Sequence, residues 1–230
     1  MDLKLNKVKN ISERGSIKIS SLTEFIQTQK DYYSWIIDFE CKKAIALERY
    51  LIDDAIRDEV HHNVKTYIVY DEDVHDIVAY FSIRTTCIIR KLISNIENEK
   101  IAKNVMPCIE ITKFCLNEQY LSFLEENQYN NKGVGTYIFN MYIVSIIVVL
   151  AGMVGFMGVI LFAIHDKYEK VINAYRDRMG FETIEDDSTK IISVLSDTSF
   201  IVDEYSSECK FMYQDVDEII KRYEGGYYYA

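Results

Sequence analysis

Asn130-Asn131-Lys132-Gly133-Val134-Gly135-Thr136 separates two different kinds of sequence. Before it stands a strand-like run, Cys108 to Leu116; after it, from Tyr137, the pattern turns helical. A glycine-rich turn feeding a helix N-terminus suits phosphate. Glycines let the main chain approach a ligand, and the free N–H groups and helix dipole favour an anion. The spacing is Gly-x-Gly only, short of the longer dinucleotide and P-loop patterns, and most such turns are only turns. The neighbours of this one decide its meaning.

Downstream, no charged residue occurs from Gly133 to Ile164, and Met141 to Ile164 is almost wholly apolar. About 20 such residues can span a bilayer. A single-span membrane protein through 141–164 is therefore one reading. Five of the nine glycines argue against it: Gly133, Gly135, Gly152, Gly155 and Gly158. The last three break the stretch into a helix of about 13 to 15 residues from Thr136 and a strand from Gly158 to Ile164. A strand covered on both faces reads as a continuous apolar run. The β-branched Ile146-Ile147-Val148-Val149 is a poor helix former, so tertiary burial must override it.

Working outward, Leu22 to Gln29 and Ala44 to Glu59 read as helices, the second with Ile45, Leu47, Leu51, Ala55 and Ile56 as its apolar face. Lys65 to Tyr70 and Asp76 to Arg84 read as a hairpin around Asp71-Glu72-Asp73. Arg90 to Asn104 reads as helix or loop, and Pro107 as the opening of the Cys108–Leu116 strand, where a missing N–H is tolerated. A short helix fits around Leu121 to Glu125. Asp166 to Arg178 is an amphipathic helix stopped by Gly180. Phe181 to Ile184, Lys190 to Leu195 and Lys210 to Tyr213 are strand candidates, and Val216 to Tyr223 a terminal helix. The order predicts a mixed α/β (α+β) fold with one central sheet. The organisation expected is a basic, solvated arm over 1–20, one domain over 21–223 and a tail over 224–230.

The totals narrow the function. With 49% hydrophobic and 27% charged residues the chain can bury a core. Its net charge of −10 argues against nucleic acid as a partner and suits a cationic one. Met1 to Ser20 carries five Lys/Arg against two Asp/Glu, so the remainder is more acidic still. The five cysteines form no CxxC and follow no secretory signal, which points to a reducing, cytoplasmic setting with free thiols. None has a Cys or His at metal-ligand spacing, and the adjacent His61 and His62 do not face each other on a helix; no metal is expected.

Taken together, the order strand, glycine turn, helix, strand, helix and Gly-Phe resembles the GNAT N-acetyltransferase superfamily over Phe39 to Tyr213. Asn130 to Gly135 is similar to the family's acetyl-CoA signature, Gln/Arg-x-x-Gly-x-Gly/Ala, with Asn130 standing where the family has Gln or Arg. Asn173 to Phe181 resembles the family's Phe-Tyr-x-x-x-Gly-Phe segment, except that Tyr175 stands five residues before Gly180, one more than usual. Either the helix end carries an extra residue, or Tyr175 is the packing aromatic of the pair. Phe39-Glu40-Cys41 with Leu47-Glu48-Arg49-Tyr50-Leu51 resembles the opening of a subgroup that includes toxin-like acetyltransferases.

The resemblance implies a central, mostly antiparallel twisted sheet flanked by helices, and acetyl-CoA as co-substrate. The turn Asn130, Lys132, Gly133, Val134, Gly135 and Thr136 would take the pyrophosphate, with N–H groups from Val134 to Tyr137 donating. The main chain of Phe114, Cys115 and Leu116 would hold the pantetheine arm. Tyr175 would protonate the departing thiolate, and Glu110, a carboxylate in an apolar strand, would serve as base if burial raises its pKa. Glu110 could equally pair with a lysine or arginine. The acceptor would be a primary amine, cationic given the charge, and a homodimer is common in such families. A non-catalytic acyl-CoA-binding or sensing module is the second class. It would bind CoA without turnover.

Overall fold

The computed structural model describes residues 9–92, 102–164, 169–183 and 209–226. These fall into two compact units, one within Met1–Ser82 and Lys113–Tyr142, the other within Ile83–Thr112 and Ile143–Ala230. The boundaries lie inside two strands and a helix rather than in a linker, which is why composition shows no break there.

The first unit opens with strand β1 (Lys9–Asn10), a 3-10 turn (Ile11–Glu13) and β2 (Ile17–Ser21), which pairs antiparallel with β3 (Lys65–Asp71). The expectation that 1–20 is a solvated arm therefore fails for its described part. Ile11 and Ile17 are buried, and Arg14 forms a 2.6 Å ion pair with the fully buried Asp71. Tyr120 also donates to Asp71, at 2.7 Å. Burial works to raise this carboxyl, but the bonds from Arg14 and Tyr120 outweigh it and hold the group below its ordinary value. The arm's charge is thus partly structural.

Helices follow: α1 (Leu22–Thr28), capped by the Ser21 side chain, α2 (Tyr32–Ile37), then α3 (Ile45–Arg49) and α4 (Ala55–Val60) joined by a π turn, Tyr50–Asp54. Their apolar faces bury Leu22, Phe25, Trp35, Phe39 and Leu51 with Ile68, Tyr80 and Cys115. The Tyr80 hydroxyl, buried in this core, donates to Leu47 O at 2.6 Å, so its polar end is satisfied.

Strands β4 (Asp76–Leu92) and β5 (Ala102–Leu116) are longer than their alternation foretold. Residues expected as helix or loop at 90–92 and 102–104 are strand, and Pro107 lies within β5 instead of opening it. The Pro107 carbonyl accepts Met157 N–H at 2.8 Å, one residue ahead of the β5 ladder to β7 (Gly158–Ile164). That ladder is parallel and runs from Cys108↔Gly158 to Ile111↔Leu161, while β5 itself continues to Leu116. Asn117 then caps α5 (Glu118–Glu126) through its side chain. β6 (Tyr129–Asn130) pairs in parallel with β1.

From the glycine turn a single 20-residue helix extends over Val134–Met153: α6 (Val134–Ile138), a π turn (Phe139–Ile143) and α7 (Val144–Met153). It is longer than expected and includes the β-branched run. Val144 and Ile147 are buried, which supplies the tertiary gain that propensity lacks. Val154 is extended and ends the helix, and β7 begins at Gly158 as expected. The stretch 141–164 is thus a helix end, a break and a sheet strand, not one span. Val134–Met153 remains apolar enough to cross a bilayer, with mean hydropathy 2.1 and 39% of its most apolar window buried.

The second unit adds α8 (Lys170–Asn173) with a π turn (Ala174–Arg178), β8 (Glu182–Thr183), β9 (Cys209–Asp215) and α9 (Val216–Glu224). β9 pairs antiparallel with both β7 and β8. The main sheet has seven strands in the order β2-β3-β4-β5-β7-β9-β8 and is mostly antiparallel, as the resemblance implied. The strand candidate Lys190 to Leu195 and the Tyr227-Tyr228-Tyr229 tail lie outside the described residues.

Candidate active site

The glycine turn is built from its own side chains before any ligand is considered. Asn130 Oδ1 accepts the Lys132 N–H at 3.0 Å, an Asx-type turn that bends the chain two residues before Gly133. The position where the family has Gln or Arg thus folds the turn. Gly133 has φ +83, a left-handed conformation that a side chain would strain, and it stands as the N-cap of α6 with no side-chain cap. A Cβ there would meet nothing within 4 Å, so the space beside Gly133 is open. Tyr137 N–H returns to Gly133 O at 2.9 Å, so the donors left at this helix start are Val134, Gly135 and Thr136, one fewer than expected. Val134 and Ile138 are buried and anchor the first turn.

The end of β5 adjoins this turn. A Cβ on Gly135 would stand 3.3 Å from Leu116 Cδ1, and the Phe114 and Phe139 rings meet edge-on at 6.1 Å. At Gly135 a side chain would press on Leu116 by a few tenths of an ångström, while the backbone angle there makes no demand for glycine. Phe114, Cys115, Leu116 and the turn from Asn130 to Thr136 are all parts of the first unit, with Leu116 against Gly135 and Cys115 turned into the core.

Sequence reasoning missed what braces them. The β1–β6 pairing ties Lys9 and Asn10 to Tyr129 and Asn130, immediately before the turn, and Lys9 N–H bonds Gln128 O at 3.2 Å. Lys9 and Arg14 lie over the Tyr129 ring at 5.5 and 5.2 Å. Two-residue strands leave no periodic signal. Asn117 was also missed, although an Asn just before Glu118 is a cap signal. Its Oδ1 takes Glu40 and Gln119 N–H groups, and its Nδ2 donates to Ile77 O and Asp76. It fixes the chain at the exit of β5. Burial pushes the Asp76 carboxyl up to about 6, with Asp38 and Asp71 adding to the effect.

In the second unit, Glu110 is 1% exposed and meets Arg84 through both oxygens, at 2.9 Å from Nε and 3.4 Å from Nη2. This is the ion-pair arrangement, formed inside the protein and not on a sheet surface. Arg84 is itself largely buried. Nothing in the alternation of β4 marked Arg84, because it falls on a position read as polar.

Tyr175 lies in the π turn Ala174–Arg178. A π turn contains one more residue than an α turn. That accounts for the extra residue between Tyr175 and Gly180. Met179 N–H reaches Ala174 O at 3.3 Å, the i to i+5 bond, and Phe181 N–H bonds Tyr175 O at 3.0 Å. The Tyr175 ring also packs edge-on against Phe181 at 5.9 Å. Tyr175 is half-buried, and both features weighed from the sequence, an extra residue and an aromatic contact, are present together.

No protein-family model matches the chain, and no curated protein matches it in sequence. Solved structures do match in fold. AtaTR bound with acetyl-CoA superposes at TM-score 0.61 with 14% identity, covering 90% of this chain and 97% of that one. AtaT complexed with acetyl-methionyl-tRNAfMet gives 0.56 at 14% identity, over 89% and 98%. The KacTA–DNA complex gives 0.53 at 14% identity, over 91% and 99%. At 14% identity, these likenesses show that the chain shares its fold with these proteins.

Proposed function

We propose that this chain is an acetyl-CoA-dependent acetyltransferase of the toxin type, acting on a primary amine. One observation carries the reading: an uncapped helix start behind a left-handed Gly133, with open space beside that glycine and Leu116 at the end of β5 against Gly135. Three main-chain N–H donors and the helix dipole suit a pyrophosphate. Lys132, exposed beside them, adds charge. Acetyl-CoA supplies an activated thioester. The chain's part is to hold it, through Val134, Gly135 and Thr136 at the turn and the main chain of Phe114 to Leu116. The acceptor nitrogen attacks the carbonyl carbon directly, and Tyr175 gives its proton to the departing thiolate. Glu110 serves as the counter-ion of Arg84, and a water takes the amine proton.

The likeness to AtaT held with acetyl-methionyl-tRNAfMet makes the α-amino group of an aminoacyl-tRNA the acceptor to test first. The likeness to AtaTR and KacTA assemblies makes a protein antitoxin and DNA the corresponding partners. The net charge of −10 favours a second acceptor class, small cationic amines. The setting would be cytoplasmic. The experiment offers acetyl-CoA with charged initiator tRNA, a polyamine and an aminoglycoside, and follows free thiol and acceptor mass. Acetylation of any of them supports the reading. Saturable acetyl-CoA binding without turnover on the panel would favour a sensing module, and no acetyl-CoA binding would overturn the cradle.

A further inference from the structure

Cys41 and Cys115 meet sulfur to sulfur in the core of the first unit, 2.9 Å apart, and both are buried. A disulfide bond measures about 2.05 Å, so the two sulfurs stand less than about 1 Å from bonding distance. The main chain around them is already laced together. Glu118 N–H bonds Glu40 O at 2.8 Å, Glu40 N–H bonds Asn117 Oδ1 at 3.2 Å, and Lys43 N–H meets Glu118 Oε1 at 3.3 Å. Cys41 N–H is held by Glu48 at 2.8 Å. Joining the sulfurs thus needs no refolding: side-chain rotation with a sub-ångström shift of the β5 end closes the gap.

The two thiols are also unequal. The Cys115 S–H donates to Cys41 Sγ; this bond lowers the Cys41 thiol, which the Ala44 N–H assists, and it raises Cys115 together with burial. Cys108 differs: burial, with Cys87 adding to the effect, pushes its thiol up to about 11.

We propose that Cys41 and Cys115 form a reversible redox site whose reagent is a small peroxide. Burial of both sulfurs admits hydrogen peroxide more readily than a bulky disulfide. The Cys41 thiolate attacks one peroxide oxygen; the O–O bond breaks, leaving a sulfenic acid and a hydroxide that becomes water on protonation. The Cys115 sulfur then attacks Cys41 Sγ, the S–S bond forms, and the displaced hydroxide takes the Cys115 proton and leaves as a second water. Two thiols lose two electrons, and one peroxide gains them. A dithiol reductant restores the pair by exchange.

The position gives the bond a consequence, which rests on the proposed acetyl-CoA site. Cys115 stands between Phe114 and Leu116, and Leu116 is the side chain that approaches Gly135. Drawing Cys115 toward Cys41 moves the strand end that the thioester arm would use. Oxidation weakens acetyl-CoA binding by about tenfold, within the usual range of coupling between two sites.

The test treats the full-length chain with equimolar hydrogen peroxide, alkylates free thiols and measures intact mass and peptides. A two-hydrogen loss mapped to a Cys41–Cys115 bridge, reversed by dithiothreitol and absent in Cys41→Ala, is the expected result. Oxidation confined to Cys87 or Cys209, or sulfinic acid on Cys41 without a bridge, would overturn the site. Calorimetry on the reduced and bridged forms then reads the coupling. Equal affinity would overturn the coupling while the bridge stands. Failure of the reduced protein to bind acetyl-CoA would instead refute the functional reading, and leaves the mass result intact.

Discussion

In the unit that holds the glycine turn, the groups proposed for a chemical task are main-chain N–H donors of Val134, Gly135 and Thr136. In the unit that holds Glu110 and Tyr175, they are side chains, each engaged by a neighbour: Arg84 on Glu110, Phe181 against Tyr175. The contrast explains what each tolerates. A main-chain site depends on the absence of side chains at two positions and accepts variation at Asn130, whose part is to shape the turn. A side-chain site depends on what its partners leave free.

The largest effect is expected from Gly135→Glu. Its Cβ meets Leu116 and its carboxylate opposes a pyrophosphate, so calorimetry should show no saturable acetyl-CoA binding; affinity like the wild type's would break the contrast at its first half. Next is Glu110→Gln, which leaves the largely buried Arg84 without its carboxylate. A loss of about 3 kcal/mol in denaturant unfolding is expected. Unchanged stability with one limb of the pH–rate profile missing would instead make Glu110 the base.

Tyr175→Phe keeps the packing on Phe181 and removes only the hydroxyl. Turnover should fall about 100-fold at unchanged acetyl-CoA affinity. If kcat holds, Tyr175 belongs with the packing aromatics and the second unit's site loses its acid.

Asp76→Asn sharpens the comparison from the scaffold side. The folded carboxyl sits at about 6 against an ordinary 3.8, so its contribution is fully present below pH 3.8 and is lost as pH rises through 6. Asn keeps an oxygen for Asn117 and has no charge to lose. It should stabilise the protein by about 1–2 kcal/mol at pH 7.5, with the gain vanishing near pH 4. The smallest effect is expected at Asn130→Ala. Losing one exposed turn bond should weaken acetyl-CoA binding only about threefold, because the helix-start donors remain.

Legibility followed the same line. Gly133, Gly135 and the strand ending at Leu116 could be read because a glycine turn between a strand and a helix advertises itself by residue type and spacing. The helix ending before Gly158 was visible because glycines interrupt an apolar run. Its true length was not, since residues 134 and 135 look like turn until the buried Val134 commits them to the helix. The arm was misread because charge count says nothing about Asp71, the buried partner that Arg14 meets 57 residues away. The irregular Tyr175 spacing was readable as an anomaly, and the π turn is its explanation.

By itself the sequence determined the order of elements, the acidic balance and the glycine turn, because these depend on local periodicity and on which residues lack side chains. The tertiary structure decided the partners of Glu110 and Asn117, the bracing of the turn by Lys9 and Asn10, and the meeting of Cys41 with Cys115. Each of these is a contact between segments distant in the chain, and a side chain's chemistry is set by whichever distant group folding brings beside it.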